Sequence, residues 1–161
     1  MINKIKKHIH EQLLYALILT LITGIFVIFV QYYRMPDIDS VTDFLLTLPD
    51  YQSLTKCEEL TGVYQDISST NEINVYKATD GSAREFAVTK ADNLALTDEL
   101  IEKLKARQAE LNSEFQGNNV ELERIEYFKI VNVDTFVTFL IYDTQKTAET
   151  ALHEYFSLAI Q

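Results

Sequence analysis

The sequence predicts an α+β fold in which a single N-terminal transmembrane helix precedes an extracytoplasmic domain with an antiparallel sheet flanked by helices. Residues 13–30 carry no charge and are almost entirely apolar. After them, apolar residues recur with both strand-like and helix-like periods, but helices and strands do not alternate regularly. The predicted parts are a cytoplasmic head at 1–12, a transmembrane helix at 13–33 and the domain at 34–161.

The apolar run is LLYALILTLITGIFVIFV, from Leu13 to Val30. At a rise of about 1.5 Å per residue it covers roughly 27 Å, which is close to the hydrocarbon thickness of a bilayer. A cleaved signal peptide normally has a shorter apolar region and ends in small residues. Here bulky residues close the run, which favours an uncleaved anchor in the inner (plasma) membrane.

Charged and aromatic residues flank this run on both sides. The predicted topology and interface anchors are Lys4, Lys6, Lys7, Tyr15, Tyr32, Tyr33 and Arg34. The excess of lysine before the run places the N-terminus in the cytoplasm and the domain in the periplasm or outside the cell. We interpret the nearby His8, His10 and Glu11 as a solvated flank rather than a metal site.

Small residues mark one side of the predicted membrane helix. Ala16, Thr20 and Gly24 recur at a spacing of four, and Thr23 lies beside them. Small residues at this spacing allow two helices to approach closely in lipid, and threonine hydroxyls can bond across such an interface. The pattern predicts a homo-oligomer that associates through this side of the helix.

Charge and cysteine content restrict the function of the domain. From Met35 onward, ten lysine and arginine residues face twenty-three aspartate and glutamate residues, a formal charge of −13. Nucleic acid is excluded as a partner because its phosphates require basic contacts. The single Cys57 excludes an intramolecular disulfide. We interpret it as a small buried apolar residue; the alternative is an intermolecular disulfide or a reactive thiol.

Two helices are predicted at the start of the domain. Ser40 opens a capping signature with Asp43, apolar residues follow at helical spacing, and Pro49 stops the helix. A second short helix is predicted from Gln52 to Leu60, with Gly62 as its terminator.

A hairpin and a long helix follow. The hairpin is predicted at Ile73–Thr89 because Asp80-Gly81 is a strong turn signal. Thr97 is predicted to cap the helix, and Gly117 to end it. One apolar face of this helix contains Leu100, Leu104, Leu111 and Phe115.

The chain is predicted to end in a second hairpin and an amphipathic helix. The two strand regions are Val120–Val131 and Thr135–Tyr142. The second is apolar on both faces, with Val137, Phe139 and Ile141 on one and Phe136, Leu140 and Tyr142 on the other. This pattern is typical of a strand covered on both sides. The last helix begins at Thr147, and its apolar face contains Ala148, Ala151, Leu152, Tyr155, Phe156 and Ala159.

No catalytic or metal-binding motif is recognisable, so the sequence predicts neither an enzyme nor a cofactor. His153, next to Glu154 and four residues after Glu149, is interpreted as a solvated surface histidine. The acidic residues Glu121, Glu123 and Glu126 are interpreted as the solvated face of a sheet.

The segment TFVTFLIYDTQKTAETALHEYFSLAI, Thr135–Ile160, resembles the C-terminal end of GAF/PAS-like sensory domains. The whole arrangement of head, single span and extracytoplasmic domain is similar to the holins of T-even bacteriophages, although its head is shorter and Cys57 is alone. This resemblance implies a protein that oligomerises through its membrane helix and permeabilises the inner membrane during host cell lysis. The domain would set the timing by binding an antiholin. The alternative is a bitopic scaffold or interaction protein whose acidic domain binds an envelope partner.

Overall fold

The computed structural model describes residues 15–25, 35–142 and 147–159. They fall into two compact units. Of the described residues, one unit contains 15–25, Met35 and 157–159. The other runs from Pro36 to Phe156 and contains the whole sheet.

The first helix, α1, comprises residues 15–25. Its large apolar side chains are exposed by 44% to 73%. They are Tyr15, Leu17, Ile18, Leu19, Leu21, Ile22 and Ile25. Within the described residues, no helix combines the length and the apolar character needed to cross a membrane. The remainder of the predicted span, 13–14 and 26–33, lies outside the described residues, as does the predicted head at 1–12.

The second unit is an α+β domain with a five-stranded, fully antiparallel sheet of order β1-β2-β3-β5-β4. The prediction of an antiparallel α+β domain is therefore confirmed. Its helices are α2 Ile38–Leu46, α3 Gly62–Ser68, α4 Thr97–Glu114, α5 Asn119–Glu126 and, as far as Phe156, α6 Thr147–Ala159, with a 3-10 turn at Leu94–Leu96. Its strands are β1 Thr55–Lys56, β2 Glu72–Lys77, β3 Glu85–Lys90, β4 Lys129–Val133 and β5 Phe136–Ile141.

Both faces of the sheet are covered. One face packs against α2 and α6, and the other packs against α3, α4 and α5. Every residue of β5 is buried. Phe136, Leu140 and Tyr142 face the first layer, whereas Val137, Phe139 and Ile141 face the second. The prediction of a strand covered on both sides is confirmed, because each period-2 set of apolar residues has its own core to fill.

The hairpin predicted at Ile73–Thr89 is present as β2 and β3, with Ile73 paired to Thr89. Gly81 has a φ of 80° in the connecting turn, a conformation that glycine adopts without steric cost. Across the pair, the rings of Tyr76 and Phe86 stack with centroids 5.1 Å apart. The turn signal in the sequence was sufficient to locate this hairpin.

The first helix of the domain begins earlier than predicted. Asp37, not Ser40, is its N-cap, and the Asp37 carboxylate accepts a hydrogen bond of 2.7 Å from the Ser40 backbone N–H. Aspartate caps as well as serine, and starting the helix at Ile38 buries Val41 and Leu45 completely. Pro49 lies just beyond its end at Leu46, as predicted.

The helix predicted at Gln52–Leu60 is wrong. Thr55 and Lys56 instead form the edge strand β1, which pairs with β2, and the Cys57 N–H donates to the Val75 carbonyl at 2.9 Å. This pairing satisfies backbone groups of β2 that a helix would leave open. Gly62 is the first residue of α3, with a φ of 57°, and not the terminator of a preceding helix.

The helix α4 begins at Thr97 and buries Leu100, Leu104 and Leu111, as predicted. The capping role of Thr97 is wrong, because its hydroxyl donates to the Leu94 carbonyl at 2.8 Å and leaves the helix start without a side-chain cap. The preceding 3-10 turn supplies the entry into this helix instead. Gly117, with a φ of 92°, follows its end.

The strand predicted at Val120–Val131 is largely wrong, because residues 119–126 form the helix α5. The Asn118 side chain caps this helix, and Glu121 and Ile125, four residues apart, share its buried face. Glu121, Glu123 and Glu126 are therefore not on a sheet. Glu121 is buried, pairs with Arg124 and accepts the Ala83 N–H at 2.7 Å.

The closing helix α6 begins at Thr147 as predicted. Ala148, Leu152 and Phe156 are buried against the sheet, and His153 is exposed. The apolar side of α6 therefore packs on the sheet, as the amphipathic pattern predicts.

Candidate functional site: a buried charge cluster

The predicted association residues Ala16, Thr20, Thr23 and Gly24 all lie on α1 and are exposed. The Thr20 hydroxyl donates to the Ala16 carbonyl at 2.8 Å, and the Thr23 hydroxyl donates to the Leu19 carbonyl at 2.7 Å. Each hydroxyl has only one proton to donate. The threonines can therefore contribute methyl contacts and acceptor lone pairs to a second helix, but their donors are already used.

Of the predicted anchors, Tyr15 lies on α1 and is 73% exposed. The others, together with the histidines of the head, lie outside the described residues. They are Lys4, Lys6, Lys7, Tyr32, Tyr33, Arg34, His8 and His10.

A buried ion pair between Glu85 on β3 and Arg107 on α4 was not predicted. Their side chains are only 3% and 8% exposed. Arg107 Nε donates to Glu85 Oε1 and Arg107 Nη2 to Glu85 Oε2, both at 2.9 Å. This two-point contact matches the planar guanidinium to the planar carboxylate. Burial acts to lower the pKa of Arg107, but its hydrogen bonds and charge interaction with Glu85 raise that pKa overall.

Tyr64 of α3 completes this pair. Its hydroxyl donates to Glu85 Oε1 at 2.6 Å, and its ring centroid lies 5.2 Å from the Arg107 guanidinium carbon. Complete burial, followed by the negative charge of Glu85, raises the pKa of Tyr64 well above its ordinary value. Tyr64 therefore stays neutral and acts as a hydrogen-bond donor.

Three further charged side chains surround the pair. Glu110 Oε2 accepts from Arg107 Nη1 at 3.1 Å, while its other oxygen accepts the Val63 N–H at 3.1 Å at the start of α3. Lys77 Nζ lies 3.8 Å from Glu85 Oε2, and Glu114 Oε2 lies 3.6 Å from Arg107 Nη2. The cluster thus connects β2, β3 and α4 by ion pairs, and joins α3 to them by hydrogen bonds.

The local folding pattern explains why these groups meet. Arg107 lies seven residues after Leu100 and four before Leu111, so it occupies a position in the apolar stripe of α4. Glu85 precedes Ala87 by two residues and therefore faces the same layer. A charge inside an apolar stripe was the available sequence signal, and it indicates a buried partner of opposite charge.

A cavity of about 300 Å³ opens beside the cluster, between the β2–β3 turn and the C-terminal half of α4. Glu85 and Arg107 line its inner part, with Leu111 and Phe115 as apolar walls. Lys77, Arg84 and Glu114 also line it. Arg84 is held by Asp80 at 2.7 Å and by the Ser82 hydroxyl at 3.1 Å.

Cys57 lies near the cluster and is half-buried against the core beneath α3 and α4. Burial raises the pKa of its thiol, and Lys77 acts in the opposite direction. A raised pKa lowers the fraction of the nucleophilic thiolate at neutral pH. The prediction that Cys57 is a small buried apolar residue is wrong, because this residue is only partly buried.

The cluster is better suited to holding charge than to transferring protons. Arg107 holds Glu85 as a carboxylate, and Tyr64 and Arg107 together occupy both acceptor positions of Oε1, which leaves Glu85 few positions from which to accept a substrate proton. Across the three described segments, no group of three or more histidine, cysteine or acidic side chains is placed to hold a metal ion. What the geometry provides is a fixed, compensated ion pair at the inner end of a small cavity.

Comparisons of this chain with protein-family models, curated proteins and solved structures find no match. The resemblances to T-even holins and to GAF/PAS-like domains therefore stay predictions.

Proposed function

We propose that this chain is a membrane-anchored binding protein, with its N-terminus in the cytoplasm and its α+β domain outside the membrane. The observation that carries the anchor is α1, whose large apolar side chains are exposed by 44% to 73%. Exposed apolar side chains around a helix require an apolar environment. Lysines before the run, against Arg34 after it, favour this orientation.

The binding role of the domain is supported by the cavity and by the charge distribution. The domain has a formal charge of −13, and Glu114, which lines the cavity and is 59% exposed, is a carboxylate that a basic surface can reach. An acidic body of this kind attracts a basic partner surface and accelerates its association. We infer that the partner is an envelope protein with a basic contact surface.

The anchor is tested by carbonate extraction of membranes, followed by protease treatment of spheroplasts. We expect the chain to stay with the membrane after extraction, and the domain to be cleaved from outside while its first residues are protected. Release by carbonate, or protection of the whole domain, would contradict the proposal.

The partner is tested by photo-crosslinking in living cells. A crosslinker in place of Glu114, beside the cavity, should give a discrete adduct whose yield falls as salt rises. Glu102, 72% exposed elsewhere on α4, is the matched control position and should give none. Equal adducts at both positions would contradict a partner at the cavity.

A second candidate is a holin-like activity, favoured by the stripe of Ala16, Thr20 and Gly24 on the exposed helix. No heavy atom lies within 4 Å of the place where a Cβ on Gly24 would be. This open side lets a second helix approach closely. In this version the chain accumulates as homo-oligomers until it permeabilises the inner membrane, and an antiholin bound to the domain sets the timing.

The holin-like activity is tested by following membrane potential and culture density after induction of the full chain. We expect an abrupt, delayed loss of potential that Gly24→Leu abolishes or retimes. Ile18→Leu is the matched control, because Ile18 lies on the opposite side of the helix at 100° per residue. Steady growth at high expression would overturn this candidate and leave the binding protein.

A further inference from the structure

The cavity beside the β2–β3 turn has a volume of about 300 Å³. That is the lower end of the range of about 300–1,000 Å³ that small-molecule sites occupy. It is therefore matched to a small metabolite.

The inner end of this cavity is electrically balanced. Glu85 and Arg107, both more than nine-tenths buried, neutralise each other through two hydrogen bonds of 2.9 Å. A free ion placed next to this pair would face an equal charge of its own sign. The inner end therefore disfavours a simple anion and a simple cation alike.

Two side chains of opposite sign along the cavity keep hydrogen-bonding capacity. Lys77 Nζ is 3.8 Å from Glu85 Oε2, and Glu114 Oε2 is 3.6 Å from Arg107 Nη2. Both separations exceed the length of a hydrogen bond. Lys77 is 33% exposed and Glu114 is 59% exposed, so both can turn toward a ligand.

We propose that this cavity binds a small zwitterion, a free α-amino acid or a compound with the same charge pattern. Lys77 takes the carboxylate, Glu114 takes the ammonium group, and Leu111 and Phe115 contact the ligand's side chain. A ligand with both charges meets an attractive partner for each, whereas Glu114 repels an anion and Lys77 repels a cation. The inference rests on the proposed binding role of the domain, but not on the anchor or on a protein partner.

The test is isothermal titration calorimetry, in which each of the twenty free amino acids is titrated into the full chain in detergent micelles. The matched probes are the N-acetyl amino acid, which lacks the ammonium group, and the amino acid amide, which lacks the carboxylate. We expect at least one free amino acid to bind, and both blocked forms to bind at least tenfold more weakly.

Variants of Lys77 and Glu114, the two partly exposed side chains along the cavity (the rim), test binding without removing the buried ion pair. Lys77→Gln and Glu114→Gln leave the buried pair intact, and each should weaken binding at least tenfold. Lys105→Gln, from the exposed pair with Glu102 on the same helix, should leave it unchanged. Absence of binding, equal binding of a blocked form, or no effect of either rim variant would overturn the inference. A membrane-inserted chain that crosslinks its partner but binds no zwitterion would overturn this inference alone.

Discussion

At the scale of single residues, the stability of the domain depends on the buried ion pair between Glu85 and Arg107. A carboxylate that is 3% exposed loses most of its hydration, and Arg107 and Tyr64 replace it with direct hydrogen bonds. Removing one partner of a buried pair leaves an uncompensated charge, which costs more than the pair itself contributes.

We expect Arg107→Met to lower the free energy of unfolding by about 3–5 kcal/mol. The double variant Glu85→Gln/Arg107→Met should cost about 1–3 kcal/mol less than the sum of the two single changes, because it removes both charges. Urea denaturation measures all three. Lys105→Met, from an exposed pair, is the control and should change stability by no more than about 0.5 kcal/mol. Simple additivity would contradict a coupled pair.

Tyr64 makes the cluster sensitive to alkali. Its pKa is raised in the folded domain, chiefly by burial, so the unfolded chain loses this proton first. The contribution of Tyr64 is fully present below the unfolded pKa of about 10 and declines as pH rises above it. We therefore expect the stability difference between the natural chain and Tyr64→Phe to shrink above pH of about 10. Denaturation curves at several pH values measure this stability difference. A difference that stays constant with pH would exclude ionisation of Tyr64 as the cause.

At the scale of elements, the sequence was informative wherever one local signal had no competitor. Asp80-Gly81 located the first hairpin, and the two apolar faces of 136–142 identified a strand covered on both sides. The predictions are wrong where tertiary contacts determine the secondary structure. Residues 55–56 become a strand because β2 offers backbone partners, which no local period reveals. Residues 119–126 become a helix that buries Glu121 against the Ala83 N–H of the hairpin loop.

The candidate site was hidden for the same reason. The position of Arg107 in the stripe of Leu100, Leu104 and Leu111 indicated burial, but its partner lies on a strand twenty-two residues earlier. Only the packing of α4 on β3 brings them together.

The β2–β3 turn carries its own acid-sensitive contact. Hydrogen bonds from the Ser82 side chain and backbone, followed by Arg84, lower the pKa of Asp80 from 3.8 to about 2. A depressed pKa contributes stability above pH 3.8, and this is lost as pH falls toward 2. Asp80→Asn keeps the turn preference, because Asn-Gly and Asp-Gly favour the same turns. We expect it to speed amide hydrogen exchange in the turn at pH 7 and to have a much smaller effect near pH 2. An equal effect at both pH values would show that the charge of Asp80 is not responsible.

At the scale of the whole molecule, the chain separates into a unit that exposes apolar surface and a unit that buries it. Val41, Phe86, Leu140 and Leu152 are completely buried within the second unit, whereas α1 leaves its large apolar side chains exposed. Under the proposed function, the acidic surface of the second unit faces water and the exposed apolar side chains of α1 face lipid.

This separation predicts opposite outcomes for two truncations. A chain of residues 35–161 keeps the sheet and the helices on both of its faces, so we expect it to remain folded and to leave the membrane fraction. A chain that ends at Tyr142 lacks α6, so the buried contacts of Ala148, Leu152 and Phe156 are lost and one face of the sheet is uncovered. We expect this second chain to lose cooperative unfolding, because burying three apolar side chains of this kind contributes several kcal/mol, comparable with the whole stability of a small domain. Thermal unfolding followed by circular dichroism distinguishes them, and the full chain in micelles is the reference. If residues 35–161 fail to unfold cooperatively, the domain needs the N-terminal unit in order to fold.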